Sequence, residues 1–340
     1  MSKILGIGNA LVDILVDIDD PSLFEKYGLQ KGGMEMIDEE KKRAIHAEIS
    51  HLKQSIASGG STANTIHGLA RLGAQTGFIG KISHDFAGES FQKDMINSNI
   101  EPHLCYSDID TGIATTFITP DGERTFATYL GAASTLTPED LVDDVLKDYD
   151  YIHVEGYLIF NKQLILEVCK RAKSAGLKIS MDMASYNLVE SMRDFVEELL
   201  RDYVDIIFAN EEEAKAFSGK EEVEALEVLS QYCPISVVKL GAKGSLIKAN
   251  DEVVRVEPLP ATRIDTTGAG DIYASGFLYG LMNGYSIEKS GYLATKLSKL
   301  RGFFSLVFGD LNEEKIAILE EALIKMYKEK GITFEDDSLY

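Results

Sequence analysis

The chain is short of cysteine and of positive charge. Cys105, Cys169 and Cys233 are its three cysteines, far apart and without a CxxC pair. An odd number of dispersed cysteines is typical of reduced thiols rather than of a disulfide framework. The 34 lysines and arginines face 55 aspartates and glutamates, for a formal net charge of −21. Because this charge repels nucleic-acid backbones and anionic membranes, we expect neither as a partner.

Long apolar runs are absent as well. The N-terminal apolar stretch is interrupted at Asp13, too early for a signal peptide, and no run of about 18 apolar residues occurs elsewhere. The sequence therefore predicts a soluble, cytoplasmic protein. Its hydrophobic content of 45% is enough for a sizeable core.

Several common functional motifs are also missing. Gly6 and Gly8 follow the first apolar run, but the third glycine of a GxGxxG fingerprint would fall at Leu11. The sequence has no GxxxxGK[ST] phosphate loop, no protein-kinase signature set and no GxSxG nucleophile elbow. Its six histidines are scattered, without a zinc-binding cluster. The glycine clusters remain as candidates.

Short β-rich apolar runs alternate with helical patterns along most of the chain. This alternation predicts an α/β fold with a mostly parallel central sheet wrapped by helices. Residues 11–37 and 103–130 interrupt this alternation with strand-like segments. Those in residues 103–130 lie on either side of a turn at residues 120–122. We predict that these two segments form a small second sheet. Because no linker is evident, residues 1–340 are predicted to form a single domain.

A glycine-rich turn runs into an apolar helical pattern at residues 265–281. Gly268, Ala269 and Gly270 fall at the predicted helix start, where free amides and the helix dipole form an anion site. Asp271 follows in the first turn. A carboxylate there can accept the proton of an attacking hydroxyl while the amides hold the charge developing on a transferred phosphoryl group. The alternative is an aspartate that caps a helix at a tight turn.

A second glycine turn opens a helix at residues 58–73. Gly59 and Gly60 can expose backbone amides, and Asn64, one turn inside the helix, can both donate and accept hydrogen bonds. This combination suits a polyhydroxylated ring. The alternative is a capped helix with a buried asparagine.

The glycine motif at residues 58–73 is followed, after most of a domain, by the motif at residues 265–281. In this order the two motifs resemble the two signatures of the ribokinase-like (PfkB) kinase family. Residues 8–13 resemble its GNxxxD opening, whose aspartate contacts substrate hydroxyls, and residues 210–213 resemble its NxxE motif, which organises water around magnesium. Residues 238–244 resemble the strand and loop that border the nucleotide. The likeness covers essentially the whole chain. It implies a three-layer α/β/α kinase domain in which residues 11–37 and 103–130 form a lid over the substrate.

The resemblance also implies a set of site residues. The catalytic set is the base Asp271 with the anion hole of Gly268, Ala269 and Gly270. The implied substrate-binding residues are Asn9, Leu11, Asp13, Gly59, Gly60, Asn64, Tyr157 and Leu158. The implied nucleotide-binding residues are Asn210, Lys239, Gly241, Gly244 and Thr266, and Asn210 and Glu213 are implied to hold magnesium through water. ATP and Mg²⁺ are the implied cofactors, and a monovalent cation such as K⁺ is a further candidate.

Each implied role has a structural alternative. Asp13 can be a polar strand residue facing water. The acidic run at residues 211–213 can be a helix start, where carboxylates stabilise the positive end by about 0.3–1 kcal/mol. Gly241 and Gly244 can form an ordinary hairpin turn. Arg124, on the predicted lid, can clamp a phosphate or be a solvated surface residue.

Within the family, the sequences of the motifs are most similar to those of adenosine kinases. They therefore favour a nucleoside, and adenosine in particular, as the acceptor. Adenosine kinases share the GNxLxD opening, GGST-x-Asn with Thr62 where ribokinases have another glycine, and an FxKYxL-like stretch seen here at residues 24–29. One feature disagrees, because adenosine kinases have an aromatic pair where this chain has Tyr157 and Leu158. An aliphatic residue forgoes the extra stabilisation of about 0.5–1.5 kcal/mol that a good aromatic pair provides.

Two other functions stay open at this point. The first is the same chemistry on a free sugar such as ribose, fructose or a sugar acid. The second is a non-catalytic ligand-sensing homologue, against which the intact motif at residues 268–271 argues, because a sensor needs no base there. The sequence leaves open a monomer or a homodimer paired through its lids.

Overall fold

The structure is a computed structural model that describes residues 2–258 and 268–307, with residues 299–307 as backbone only. The strands are β1 (Lys3–Ile7), β2 (Leu11–Asp17), β3 (Met34–Met36), β4 (Gln54–Gly59), β5 (Gln75–Ser83), β6 (Ile100–Ser107), β7 (Gly112–Ile118), β8 (Arg124–Tyr129), β9 (Tyr151–Val154), β10 (Lys178–Asp182), β11 (Ile206–Asn210), β12 (Ile235–Lys239), β13 (Ser245–Ala249) and β14 (Glu252–Val256). The helices are α1 (Ser22–Tyr27), α2 (Glu39–Ile49), α3 (Ser61–Arg71), α4 (Phe86–Asn97), α5 (Asp143–Leu146), α6 (Lys162–Ser174), α7 (Tyr186–Ser191), α8 (Arg193–Asp202), α9 (Glu211–Ser218), α10 (Glu222–Leu229), α11 (Ala269–Met282) and α12 (Ile287–Val307).

A nine-stranded main sheet forms the centre of the molecule, in the order β14-β13-β12-β11-β10-β9-β1-β5-β6. Strands from β12 to β6 in this order run parallel, and β13 and β14 add an antiparallel end. Ile4 of β1 belongs to the apolar cluster on one face of the sheet, and its neighbour Leu5 to the cluster on the other. Both faces are covered, as expected for parallel sheets. The predicted α/β fold with a mostly parallel central sheet is confirmed.

A second, five-stranded sheet has the order β3-β8-β7-β2-β4. Both predicted segments contribute to it, residues 11–37 with β2 and β3, and residues 103–130 with β7 and β8. Two boundaries differ from the sequence-based prediction. Residues 103–107 lie in the main sheet, because they continue β6, which pairs in register with β5 as far as Ser107. Residues 54–59 add β4, a polar edge strand that pairs with β2.

The two faces of the second sheet have different surroundings. Val12, Ile14 and Val16 alternate along β2 and belong to a buried cluster that contains side chains of α1 and α2. Asp13 and Leu15 therefore point to the opposite face.

Within residues 2–258 and 268–307, no helix combines the length and the hydropathy needed to span a bilayer.

Candidate active site

Polar side chains follow the buried parts of four strands at the carboxyl edge of the main sheet. Glu155 comes directly after β9, and Asp182, Asn210 and Lys239 end β10, β11 and β12. Asn210 and Lys239 are register partners. In open parallel sheets this edge is where ligands bind. The strand ends therefore gather carboxylates, an amide and one ammonium in a single region.

The predicted base joins the two glycine-turn helices. α11 begins after Gly268, whose left-handed backbone (φ 70°) favours glycine. The Asp271 side chain turns to α3, where Oδ1 accepts from Ser61 Oγ at 2.8 Å and Oδ2 accepts from Asn64 Nδ2 at 3.0 Å. Burial, reinforced by the charge of Asp182, raises the pKa of Asp271. The result is a fixed carboxylate that takes up a proton more readily than a solvated aspartate.

Asn64 is one of the predicted substrate-binding residues, and its amide group contacts the predicted base, Asp271. Thr65 Oγ1 also donates to the carbonyl oxygen of Asp271, at 3.2 Å, and Ser275 Oγ donates back to the Thr65 carbonyl oxygen at 2.8 Å. These bonds fasten α3 to α11 across 206 and 210 residues of sequence. Asn64 therefore orients Asp271 in this structure.

Lys239 forms an ion pair with Asp182, with Nζ and Oδ2 2.8 Å apart. The other carboxylate oxygen, Oδ1, accepts the backbone N–H of Ala184 at 2.9 Å. Burial opposes the charge on Lys239, but Asp182 and Glu213 raise its pKa above the usual range. Burial likewise opposes the charge on Asp182, but Lys239 lowers the pKa of this carboxyl group. Both groups are therefore charged at neutral pH.

Glu155 is a buried carboxyl group that contacts residues 8–13 and the glycine turn at residues 58–73. It accepts hydrogen bonds from the side-chain and backbone N–H groups of Asn9 and from the backbone N–H of Thr62, the two backbone bonds measuring 3.3 and 3.4 Å. A Cβ atom at Gly8 would lie 2.4 Å from Glu155 Oε2, and one at Gly60 (φ 103°) would lie 2.3 Å from the Asn9 carbonyl oxygen. Position 60 therefore requires glycine, whereas a side chain at position 8 would have to displace the Glu155 carboxyl group.

Burial raises the pKa of Glu155 to about 7, against the opposing hydrogen bonds from Asn9 and Thr62. Because the folded-state pKa lies above the unfolded value, the protonated group stabilises the fold below the unfolded pKa, and this contribution is lost as pH rises through 7. We expect the free energy of unfolding of the wild type, relative to Glu155→Gln, to fall by roughly 3 kcal/mol between pH 4.5 and pH 8.

Urea denaturation of both proteins across this pH range measures the difference. Titration of the remaining carboxyl groups is common to both proteins and cancels in the comparison. Two parallel stability profiles would contradict the assignment of this pH dependence to Glu155.

Asp13 lies beside the second glycine turn. A Cβ atom at Gly59 would lie 2.3–2.6 Å from the carboxyl atoms of Asp13, so these atoms fill the space that a side chain would need. Leu11 is buried two residues earlier on the same strand. Asp13 thus reaches the region in which α3 begins.

Asn210 and Glu213 form a reciprocal cap at the start of α9. Glu213 Oε1 and Oε2 accept from Asn210 Nδ2 and from its backbone N–H, each at 2.7 Å, and Asn210 Oδ1 accepts from the Glu213 backbone N–H at 2.8 Å. Burial, together with the charge of Asp182, raises the pKa of Glu213 to about 7. The capping alternative for this motif is thus present in the structure.

The remaining predicted residues lie in four different surroundings. Gly241 (φ 54°) and Gly244 (φ 88°) form the turn between the antiparallel strands β12 and β13. Tyr157 donates its hydroxyl hydrogen to the Ala184 carbonyl oxygen at 3.5 Å. Leu158 is buried and belongs to a core cluster. Thr266 lies outside the described residues.

Sequence reasoning missed Glu155, Asp182 and Ser61 as candidates. Glu155 follows β9 directly, and Asp182 is the last residue of β10. A polar residue at the carboxyl end of a buried parallel strand is the sequence signal that identifies candidate ligand-binding positions. Ser61 lies inside the glycine motif of residues 58–73. Its contact with Asp271, 210 residues away, had no counterpart in the sequence pattern.

Comparison with known proteins decides the family. Residues 34–301 match the family described as pfkB family carbohydrate kinase. The chain belongs to this family. The pfkB kinases transfer phosphoryl groups to alcohols, so the protein is a phosphotransferase with an alcohol acceptor. This confirms the resemblance inferred from the motifs.

Related proteins with solved structures and curated relatives agree with this membership. Adenosine kinase from Sinorhizobium meliloti is 34% identical and has a TM-score of 0.81, with 94% of this chain and 99% of that chain covered. A probable sugar kinase from Rhizobium etli is 31% identical at a TM-score of 0.83, covering 95% and 99%. Adenosine kinase 1 of Arabidopsis thaliana is 26% identical over 312 residues, 84% of this chain and 90% of that protein. Both nucleoside and sugar kinases are thus among the relatives.

Proposed function

We propose that this pfkB kinase transfers the γ-phosphoryl group of ATP, with Mg²⁺, to a primary hydroxyl of a nucleoside, adenosine first. The observation that carries the proposal is the Asp271 carboxylate, held by Ser61 and Asn64 at the first turn of α11. Both glycine turns and Lys239 adjoin this carboxylate. The second sheet is proposed to act as the lid over the acceptor, with Asp13 contacting its ring hydroxyls.

The proposed transfer assigns one task to each group. The acceptor hydroxyl gives its proton to the Asp271 carboxylate, and its oxygen attacks the γ-phosphorus as the bond to the bridging oxygen breaks and ADP leaves. The amides at Gly268–Gly270 bind the oxygens on which charge develops. The raised pKa of Asp271 favours its role as the proton acceptor.

Mg²⁺ is proposed to be held through water. Among the described residues no group of three or more histidine, cysteine or acidic side chains is arranged to hold a metal ion directly. Both Glu213 oxygens already accept hydrogen bonds from Asn210. Mg²⁺ retains several waters and binds alongside substrate phosphates, so Asn210 and Glu213 can contact those waters at the strand ends. The ion would neutralise phosphate charge during transfer.

A row of mostly apolar side chains on the second sheet favours a nucleoside over a free sugar. Leu15, Thr116, Phe126 and Met34 are register partners across β2, β7, β8 and β3, on the same face as Asp13. Met34 is exposed and Phe126 is half-buried. An aromatic ring beside apolar side chains suits the flat face of a base. Because Leu158 is in the core, we propose Phe126 as the residue that packs on the base.

A panel of nucleosides and sugars in a coupled ADP-release assay tests the proposal. Adenosine should have a higher kcat/KM than ribose, because binding energy from the base is available in the transition state. Phe126→Ala should lower kcat/KM for adenosine by about tenfold and leave any turnover of ribose unchanged. Equal or better turnover of a free sugar would favour the sugar-kinase alternative. Turnover of no acceptor would favour a ligand-sensing homologue.

A further inference from the structure

The ammonium group of Lys239 lies directly against the start of α11. A Cβ atom added at Gly270 would lie 3.1 Å from Lys239 Nζ, closer than ordinary van der Waals contact. Gly270 belongs to the turn whose amides are proposed to bind the transferred phosphoryl group. A positive charge therefore borders the place where negative charge would develop.

The Lys239 ammonium donates a hydrogen bond to Asp182 and has further N–H donors available for a ligand. Asp182 Oδ2 lies 2.8 Å from Nζ, and the Ala184 backbone fixes the other oxygen of Asp182. The Lys239 and Asp182 side chains are 16% and 14% exposed, respectively. An ammonium has three N–H donors. In the part of the chain that the structure describes, Asp182 is the hydrogen-bond acceptor for this group, which leaves donors for a ligand.

The surrounding charge is negative without a ligand. The carboxyl groups of Asp182, Glu213 and Asp271 all act electrostatically on Lys239. A nucleotide would add further negative charge next to Asp271, in a protein whose net charge is −21. The ammonium is thus placed to offset this charge within a poorly solvated site.

The alternative is an ion pair that serves only the fold. One observation and one general argument speak against it. Asp182 and Lys239 end β10 and β12, which β11 already joins through backbone hydrogen bonds. A buried ion pair also contributes little net stability, because desolvation of the charges offsets their attraction. The pair is therefore a poor way to hold these strands together.

We propose that Lys239 is a catalytic residue that donates a hydrogen bond to the phosphoryl group during transfer, and that Asp182 is the positioning residue that holds its ammonium. The inference rests on the proposed kinase function. In the step, the acceptor proton goes to Asp271, the acceptor oxygen bonds to the γ-phosphorus, and the bond to the bridging oxygen breaks to release ADP. Lys239 keeps all its protons, since its part is to stabilise charge.

The test is Lys239→Met, assayed with the best acceptor from the panel and by calorimetric ADP binding. We expect kcat to fall about 10²–10³-fold, the cost typical of removing one charge-stabilising donor. ADP affinity should stay within a few-fold, because ADP lacks the group that Lys239 contacts. A wild-type kcat in this variant would overturn the inference. An unchanged kcat with weakened ADP binding would assign Lys239 to nucleotide binding alone and would overturn it as well.

Asp182→Asn tests the positioning role. Alone it should lower kcat by about tenfold, but in a Lys239→Met background it should have no further effect on kcat, because Asp182 acts through Lys239. Independent, additive losses would overturn the positioning role.

The chain provides a matched control in another ion pair. Lys81 and Asp140 are 2.8 Å apart and 13% and 18% exposed, and Lys81 lies near the carboxyl end of β5. Lys81→Met removes a comparable ion pair away from α11, so its kcat should stay within about twofold of the wild type. An equal loss of kcat in both methionine variants would indicate a general structural effect and overturn the inference.

These outcomes are distinct from failure of the proposed function. A wild type that phosphorylates a sugar but no nucleoside changes the acceptor and leaves the Lys239 comparison valid. A wild type that phosphorylates no acceptor overturns the kinase proposal and the catalytic role together. An active wild type with an equally active Lys239→Met overturns only the inference.

Discussion

Asp271→Asn is expected to lower kcat by at least about a hundredfold, because an amide cannot take the proton of the acceptor hydroxyl. Nucleotide affinity should stay within a few-fold, since the amides of residues 268–270 are unaffected by an isosteric change. The contacts to α3 can also persist. The new side-chain oxygen still accepts from Ser61, and the Asn64 amide can turn to accept from the new amide group.

Steady-state kinetics, nucleotide titration and thermal melting together check this result. The melting temperature should be nearly unchanged, since asparagine has the same shape as aspartate and can keep the contacts with Ser61 and Asn64. Both Asp271 oxygens accept hydrogen bonds from α3, so Asp271 has a structural role that the melting temperature has to separate from a catalytic one. Wild-type kcat in the asparagine variant would falsify the base assignment and leave Asp271 as a structural link between two helices.

Gly59→Ala is expected to lower kcat/KM for the acceptor by about a hundredfold, because it displaces Asp13. The new Cβ atom would lie 2.3–2.6 Å from the carboxyl atoms of Asp13, so the carboxylate has to move. A displacement of about 1 Å of a positioning group can cost about 10²-fold in rate. The group that moves is the end of a flexible side chain, so the melting temperature should change little.

The control is a double-mutant cycle with Asp13→Ala. That variant should match Gly59→Ala in kcat/KM, and the double variant should be no worse than either single one, because both changes remove the same contact. ATP affinity should be unchanged in all three. Additive losses would show that Gly59 acts by another route, and normal kcat/KM in Asp13→Ala would leave Asp13 as a polar strand residue.

The sequence by itself determined the features that depend on neighbouring residues. The alternation of apolar runs and helical patterns predicted the α/β fold, because periods of two and about 3.6 residues express strand and helix geometry directly. The glycine clusters predicted the starts of α3 and α11, since small residues are needed where a backbone turns sharply or approaches a ligand. Asp271 follows from the same local pattern.

Other features required the order of the strands. β1 lies between β9 and β5, which brings Glu155 to Asn9, and α3 lies against α11, which brings Ser61 and Asn64 to Asp271. Residue spacing along the chain does not encode these neighbours. The sequence accordingly showed Asp182 and Lys239 separately, at the ends of two strands, without showing that they pair.

Tertiary structure also decided which side chains are buried and which share a face of the second sheet with Asp13. Leu158, a predicted substrate-binding residue, lies in the turn after β9 and is buried in the core cluster. Phe126 is no more conspicuous in sequence than other strand residues. It becomes a candidate because pairing of β8 with β7 and β3 places it on the same face as Asp13. The alternation of residues along a strand determines on which face of the sheet a side chain lies. The groups that pack against that face come from elements distant in sequence.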